Sequence, residues 1–253
     1  MSPADPGSCL TMPKEGMTNE DAREAASVAA YKVADLLITP RASGYARGQE
    51  QIEQILRSAF DILVDQGYKA VTLRRIAAAC SMNVGNISHY FKSKNELVRS
   101  LLEALMSSYE ATFNTAISES GPLPEQHLET LITLVLEDIT TKKTTRIFPE
   151  LWALSNHDPF IQGRVDEAYA IARSYFVKAI KQLNPALPDD ECELVALFIT
   201  ASLEGMTIFA GFEKRWLPAM PVIQSLARTC FVDLVKNLKP GEAAALVAAG
   251  SNT

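Results

Sequence analysis

The stretch "NVGNISHY", residues 83–90, brings Asn83, Gly85, Asn86, Ser88, His89 and Tyr90 together without a single negative charge. Amide, hydroxyl and imidazole groups both donate and accept hydrogen bonds, which is the chemistry needed to read base edges in a DNA major groove. Gly85 would let a helix backbone approach closely, although glycine costs a helix interior about 0.8–1 kcal/mol relative to alanine. Tyr90 is long enough to reach a phosphate or a thymine methyl. A lone histidine is more often a structural hydrogen-bonder, so His89 gains its weight from its neighbours.

The charge around this stretch is uneven. The chain has a formal net charge of −6, yet residues 41–99 hold nine bases against five acids, and the remainder is correspondingly more acidic. From Lys69 to Lys94 there are five bases (Lys69, Arg74, Arg75, Lys92 and Lys94) and no acid. Thr72 can cap a helix in whose first turn Arg74 and Arg75 stand, where positive charge is unfavourable by about 0.3–1 kcal/mol against the helix dipole. A phosphate arriving there would meet backbone N–H groups, the Thr72 hydroxyl and a guanidinium together. Taken alone, the two arginines suit a solvated face equally well.

Helical periodicity supplies the elements that must position these groups. Ile52, Ile55, Leu56, Ala59, Phe60 and Leu63 form one apolar face of a helix over about 48–66, with Gly67 as its stop. A short helix follows Thr72 with Leu73, Ile76, Ala77 and Cys80 inward. After the turn "SMN" a second short helix runs from about Val84 to Tyr90, capped by Asn83, with Val84, Ile87 and Phe91 on the buried side. Two short helices joined by a tight turn and propped by a longer one make a helix-turn-helix over 72–91. Ser93-x-x-Glu96 is a capping box for a helix reaching about Ile117. Further helices are expected over about 123–141, 144–156, 158–183, 189–213 and 219–238.

No alternating strand or internal repeat interrupts this pattern, so the expected fold is all-α. It divides into a DNA-binding domain over 48–95, a helical domain over 96–240 and a tail over 241–253. Residues 1–47 read as a disordered tail, an extra helix over about 18–38 and a linker.

The segment "TLRRIAAACSMNVGNISHYFKSKNEL" resembles the helix-turn-helix of the tetracycline-repressor (TetR) family of bacterial transcription regulators. The likeness runs from about Gln51 to Leu102, with Ile76-Ala77, Gly85, His89-Tyr90-Phe91, Lys94 and Glu96-Leu97 in register with the family pattern. It implies that Thr72, Arg74 and Arg75 meet phosphate or a base. Asn83, Gly85, Asn86, Ser88 and His89 would face the major groove, while Tyr90 and Lys94 grip the backbone. Two positions depart from the family. Ser81 replaces the usual turn glycine and predicts either a different turn or a positive φ at some strain. Ser88 replaces an aromatic and removes one phosphate-contacting tyrosine.

The resemblance also implies a homodimer on palindromic double-stranded operator DNA, acting as a repressor released by a small-molecule effector. The helices over about 189–213 and 219–238 are apolar around more than one face, which suits a dimer interface or, alternatively, a central place in a monomer. For an effector site, Phe148, Trp152, His157, Tyr175, Met206 and Phe209 are candidates, although aromatics at helical spacing are more often plain core.

No enzyme is expected, because no nucleophile–base signature or phosphate-cradling glycine motif occurs. Cys9, Cys80, Cys192 and Cys230 lack metal spacing, so neither metal nor cofactor is expected. With no run of eighteen uncharged apolar residues and no basic-then-apolar leader, a cytoplasmic protein away from membranes is anticipated. The rival reading is an all-α adaptor without sequence-specific DNA binding.

Overall fold

The computed structural model describes residues 36–38, 46–243 and 245. Among these residues the structure is helical: α1 (Ala46–Gln66), α2 (Leu73–Ala79), α3 (Val84–Tyr90), α4 (Lys94–Glu119), α5 (Pro124–Ile139), α6 (Lys142–Ser155), α7 (Pro159–Leu183), α8 (Asp189–Ala210) and α9 (Met220–Asn237). Short 3-10 turns at Tyr68–Ala70 and Leu217–Ala219 precede α2 and α9. The all-α expectation holds, and each expected helix from 48 onward appears within a few residues of its place. Most of the extra helix over 18–38 lies outside the described residues. Its last three, 36–38, are not helical: Leu36 is buried and the Leu37 N–H donates to the Ala104 carbonyl of α4 at 3.0 Å.

Two clusters form the interior. In the first, the six apolar residues of the α1 face meet Ile76, Ala77, Ile87, Phe91 and the first half of α4. Ile147 and Leu151 of α6 and Ile161 of α7 close the same cluster, so helices from the C-terminal half complete the core beneath the short helices. The second cluster joins the end of α4 to α5, α7, α8 and α9. Because α4 and α7 contribute to both, a displacement of either is felt on both sides.

Caps fix where the short helices start. The Thr72 hydroxyl accepts the Arg75 N–H at 3.3 Å, and the Asn83 side chain accepts the Asn86 N–H at 2.8 Å. The Ser93 hydroxyl accepts the Glu96 N–H at 3.1 Å, while Glu96 reaches back to the Lys92 N–H at 2.8 Å, one residue before the cap. Ser81 takes φ 55°, the left-handed value that the missing turn glycine would have adopted freely.

Apolar residues remain outside on α8 and α9. Leu194, Leu197, Phe198, Ile208 and Phe209 of α8 and Val222 and Leu226 of α9 are all exposed. Around the middle of α8, Ala201 and Gly205 interrupt this stripe with small residues, and a methyl group added at Gly205 would meet nothing within 4 Å. Among the described residues α8 is the one helix long and apolar enough to cross a membrane, with 33% of its apolar window buried. It begins, however, with Asp189, Asp190, Glu191 and Glu193.

Candidate DNA interface and effector cavity

The second short helix presents the face that its sequence anticipates. Gly85, Asn86, Ser88 and His89 are exposed, Ile87 is fully buried beneath them, and Tyr90 is half-buried against the first core cluster. His89 and Tyr90 lie edge to face with centroids 5.2 Å apart. The structure corrects Val84, expected on the buried side. It is 43% exposed, because the first residue of so short a helix lies beyond the support of α1 and α2. Gly85 has an intramolecular reason to lack a side chain, since a Cβ there would stand 3.2 Å from the capping oxygen of Asn83. Asn83 uses that oxygen on the cap and keeps its amide N–H groups. The Ser88 hydroxyl donates to the Val84 carbonyl at 3.0 Å and so offers mainly lone pairs outward.

Thr72, Arg74 and Arg75 are exposed at the start of α2. Lys94 is placed differently. Its Nζ donates to the Tyr68 carbonyl at 3.0 Å and lies 3.8 Å from the centre of the Tyr68 ring, and burial holds its pKa below the usual lysine value. An ammonium has three donors, so the bond to Tyr68 leaves two for a phosphate.

Tyr68 also connects this region to α6. Its backbone N–H donates to the Glu150 carboxylate at 2.5 Å, and Lys142 at the other end of α6 pairs with Asp65 of α1 at 2.5 Å. Gly67 makes the first contact possible. Its φ of 81° and ψ of 171° belong to a region that essentially only glycine occupies, and a Cβ there would collide with the Glu150 carboxylate. Gly67→Ala is therefore expected to destabilise the protein by about 1–3 kcal/mol. It should also loosen α6 from α1. Urea unfolding checks the first effect, and faster amide exchange at Tyr68 checks the second.

On its other side α6 faces a cavity with about 670 Å³ of non-atom space, part of it open to solvent. α4 contributes Met106, Tyr109 and Phe113, α5 contributes Asp138, α6 Thr144 and Phe148, α7 Tyr169, Arg173 and Phe176, and α8 Thr200 and Glu204. Phe148 is central: its ring centroid lies 5.7 Å from that of Tyr109 and 6.2 Å from that of Tyr169.

Of the six effector-site candidates from sequence, Phe148 alone is on this lining. Trp152 stands one layer behind, donating through Nε1 to the Tyr169 hydroxyl at 2.8 Å. Tyr175 stacks on Phe113 with its hydroxyl bonded to Asn114, His157 is exposed, and Met206 lies against the second core cluster. Phe209 is 61% exposed on the apolar face of α8. Sequence proximity selected these residues. The cavity instead recruits residues a helical turn apart from five helices, and its polar members, Tyr109, Asp138, Thr144, Tyr169, Arg173, Thr200 and Glu204, stand out only once those helices are assembled.

Those polar members are mostly satisfied. The Tyr109 and Thr144 hydroxyls donate to Asp138 at 2.7 and 2.6 Å, and the buried Lys143 ammonium lies 3.6 Å from its other oxygen. Burial, reinforced by the Asp138 charge, pushes the Tyr109 phenol well up, and burial likewise raises Tyr169. Both phenols stay neutral and act as hydrogen-bonding rings at physiological pH.

Known protein families match both parts of the chain. Residues 55–101 match the family described as bacterial regulatory proteins, tetR family, and residues 124–230 match the BetI-type transcriptional repressor C-terminal family. The HTH-type transcriptional regulator BetI of Cronobacter sakazakii is 25% identical over 196 residues, covering 75% of this chain and 91% of its own. BetI of Stenotrophomonas maltophilia is 23% identical over 155 residues, covering 61% and 78% respectively. Among solved structures, a TetR transcription regulator from Haloarcula marismortui superposes with a TM-score of 0.59 at 16% identity, over 73% of this chain and 97% of that one. A Saccharomonospora viridis protein solved in complex with choline gives a TM-score of 0.55 at 20% identity, over 74% and 96%. With its helix-turn-helix in the first of these families and its C-terminal helices in the second, the chain belongs to the TetR family of transcriptional regulators.

Proposed function

We propose that the protein is a cytoplasmic repressor that holds a palindromic operator as a homodimer and lets go when a compact organic cation fills the cavity. The observation that carries the DNA half is the outward face of α3: polar, uncharged and capped, it sits within an acid-free run bearing five bases. Asn86 and His89 read base edges, with Asn83, Gly85 and Ser88 shaping the approach. Thr72, Arg74, Arg75, Tyr90 and Lys94 hold phosphates. Dimerisation through α8 and α9 sets two copies of α3 about 34–36 Å apart, in successive major grooves.

For the effector, aromatic ring faces beside carboxylates attract cations, and quaternary ammonium groups are recognised in this way. The choline bound by the Saccharomonospora viridis neighbour has that chemistry. Phe148 touches the cavity while Glu150, two residues on, holds Tyr68, with Pro149 between them. A shift of α6 on effector binding therefore reaches the DNA-binding helices. A coupling of about 1–3 kcal/mol is typical of such switches and acts equally on effector affinity when DNA is bound.

Fragments of the source genome selected on the purified protein test this reading by sharing one palindrome. Asn86→Ala is then expected to cost about 1–3 kcal/mol at one base position of each half-site and to relax preference there. An unchanged preference, measured on a set of single-base operator variants, would remove Asn86 from base recognition.

A further inference from the structure

The two carboxylates of the cavity, Asp138 and Glu204, differ in how their charge is balanced. Asp138 is balanced internally by two hydroxyl donors and Lys143. Glu204 of α8 is not. Its donor is the Tyr169 hydroxyl of α7, itself fixed by the Trp152 N–H. The other charged or titratable groups around the cavity are Tyr109 of α4, Asp138 of α5, Lys143 of α6 and Arg173 of α7. Tyr109 is neutral, Asp138 repels a second negative charge, and Lys143 is paired with Asp138. Arg173 has its Nε 3.8 Å from Glu193, on the outer side of α8. Among the described residues no base forms an ion pair with Glu204.

Glu204 is half-buried on the cavity wall, and a carboxyl group in such a place has two ways to avoid an uncompensated charge: it keeps a proton, or it receives a cation. Burial, with the Asp138 charge adding to it and the Tyr169 hydrogen bond opposing it, pushes the Glu204 carboxyl up to about 7. The balance between the two therefore falls in the range where cells work.

Resting on the cationic-effector reading above, we propose that Glu204 is the effector's counter-charge and that binding is an exchange: the cation enters as the Glu204 proton leaves to solvent. Only the ionised carboxylate pairs with the cation. Below the Glu204 pKa each bound cation must expel a proton, and affinity falls with pH. Above it the proton has already gone, and affinity levels off. The free protein shows the opposite trend. A raised acid contributes stability while protonated and loses it as pH rises through about 7, so the empty protein melts lower at pH 8 than at pH 6 by this contribution.

Titration calorimetry of the full chain with choline, at pH 6 and pH 8 in buffers of different ionisation enthalpy, tests the exchange. Close to one proton released per site at pH 6, nearly none at pH 8, and about tenfold tighter binding at pH 8 are expected. Glu204→Gln should bind choline more weakly, without pH dependence, and should lose the fall in melting temperature between pH 6 and pH 8. The proton count on the unaltered protein needs no variant to fold. Choline binding with equal affinity and no proton release at both pH values would overturn the exchange and leave the cationic effector standing. If choline does not bind, or its uncharged carbon isostere binds equally well, the cationic reading fails and the exchange falls with it.

Discussion

Replacing Phe198 and Leu226 together by glutamate is expected to convert the protein to monomers and to weaken operator binding by about 10²–10⁴-fold, the range by which joined sites exceed single ones. Each residue sits near the middle of its helix, and they are 58% and 59% exposed, so neither change empties the core of a protomer. Their side chains are among the large apolar residues left exposed on α8 and α9, an accumulation that soluble proteins rarely leave in water. In a paired four-helix arrangement four glutamates would face one another across a desolvated seam, where each unpaired charge is strongly unfavourable. Sedimentation velocity gives the mass, and operator titration the affinity, on one preparation. A dimer persisting in the double variant would mean that something other than this face joins the copies.

Phe91→Ala is expected to destabilise the protein by about 3–5 kcal/mol, lowering the melting temperature by about 6–20 °C for a chain of this size. The side chain is fully buried where α3 ends, and its N–H donates to the Ile87 carbonyl at 2.9 Å. It therefore anchors the recognition helix to α1 and α4 at the point where the chain turns into the next cap. Removing the ring leaves a cavity beneath the residues that face outward. Operator affinity should fall further than the stability loss alone explains, because the outward side chains depend on the anchor for their alignment. Calorimetric melting compared with operator titration well below the melting temperature separates the two contributions.

The helix-turn-helix was legible in the sequence because its determinants are local. Thr72, Asn83 and Ser93 each cap a helix within three residues, and the positions of Ile76, Ile87 and Phe91 give the buried side by helical spacing. Ser81, where the missing glycine left either a different turn or a positive φ, takes the positive φ. Val84 was misplaced because periodicity assigns a direction but not whether another helix is there to cover it. The cavity was nearly illegible for the same reason. Trp152 and Phe209 have the right chemistry and helical spacing, yet whether they point inward depends on how α6, α7 and α8 are rotated against one another. Glu204, the most informative cavity residue, is an ordinary helical glutamate until Tyr169 and Asp138 are brought beside it. The attachment of Lys94 to Tyr68 was not legible, because it spans 26 residues.

The central claim is specific, charge-assisted DNA binding by the face around α3, and a salt titration tests it most directly. A dimer using Arg74, Arg75 and Lys94 twice neutralises about six phosphates, so log K for the selected palindrome should fall against log salt with a slope of about −5. A scrambled duplex of equal length should bind much more weakly at every salt concentration. A slope near zero, or equal affinity for the palindrome and its scrambled counterpart, would contradict the account.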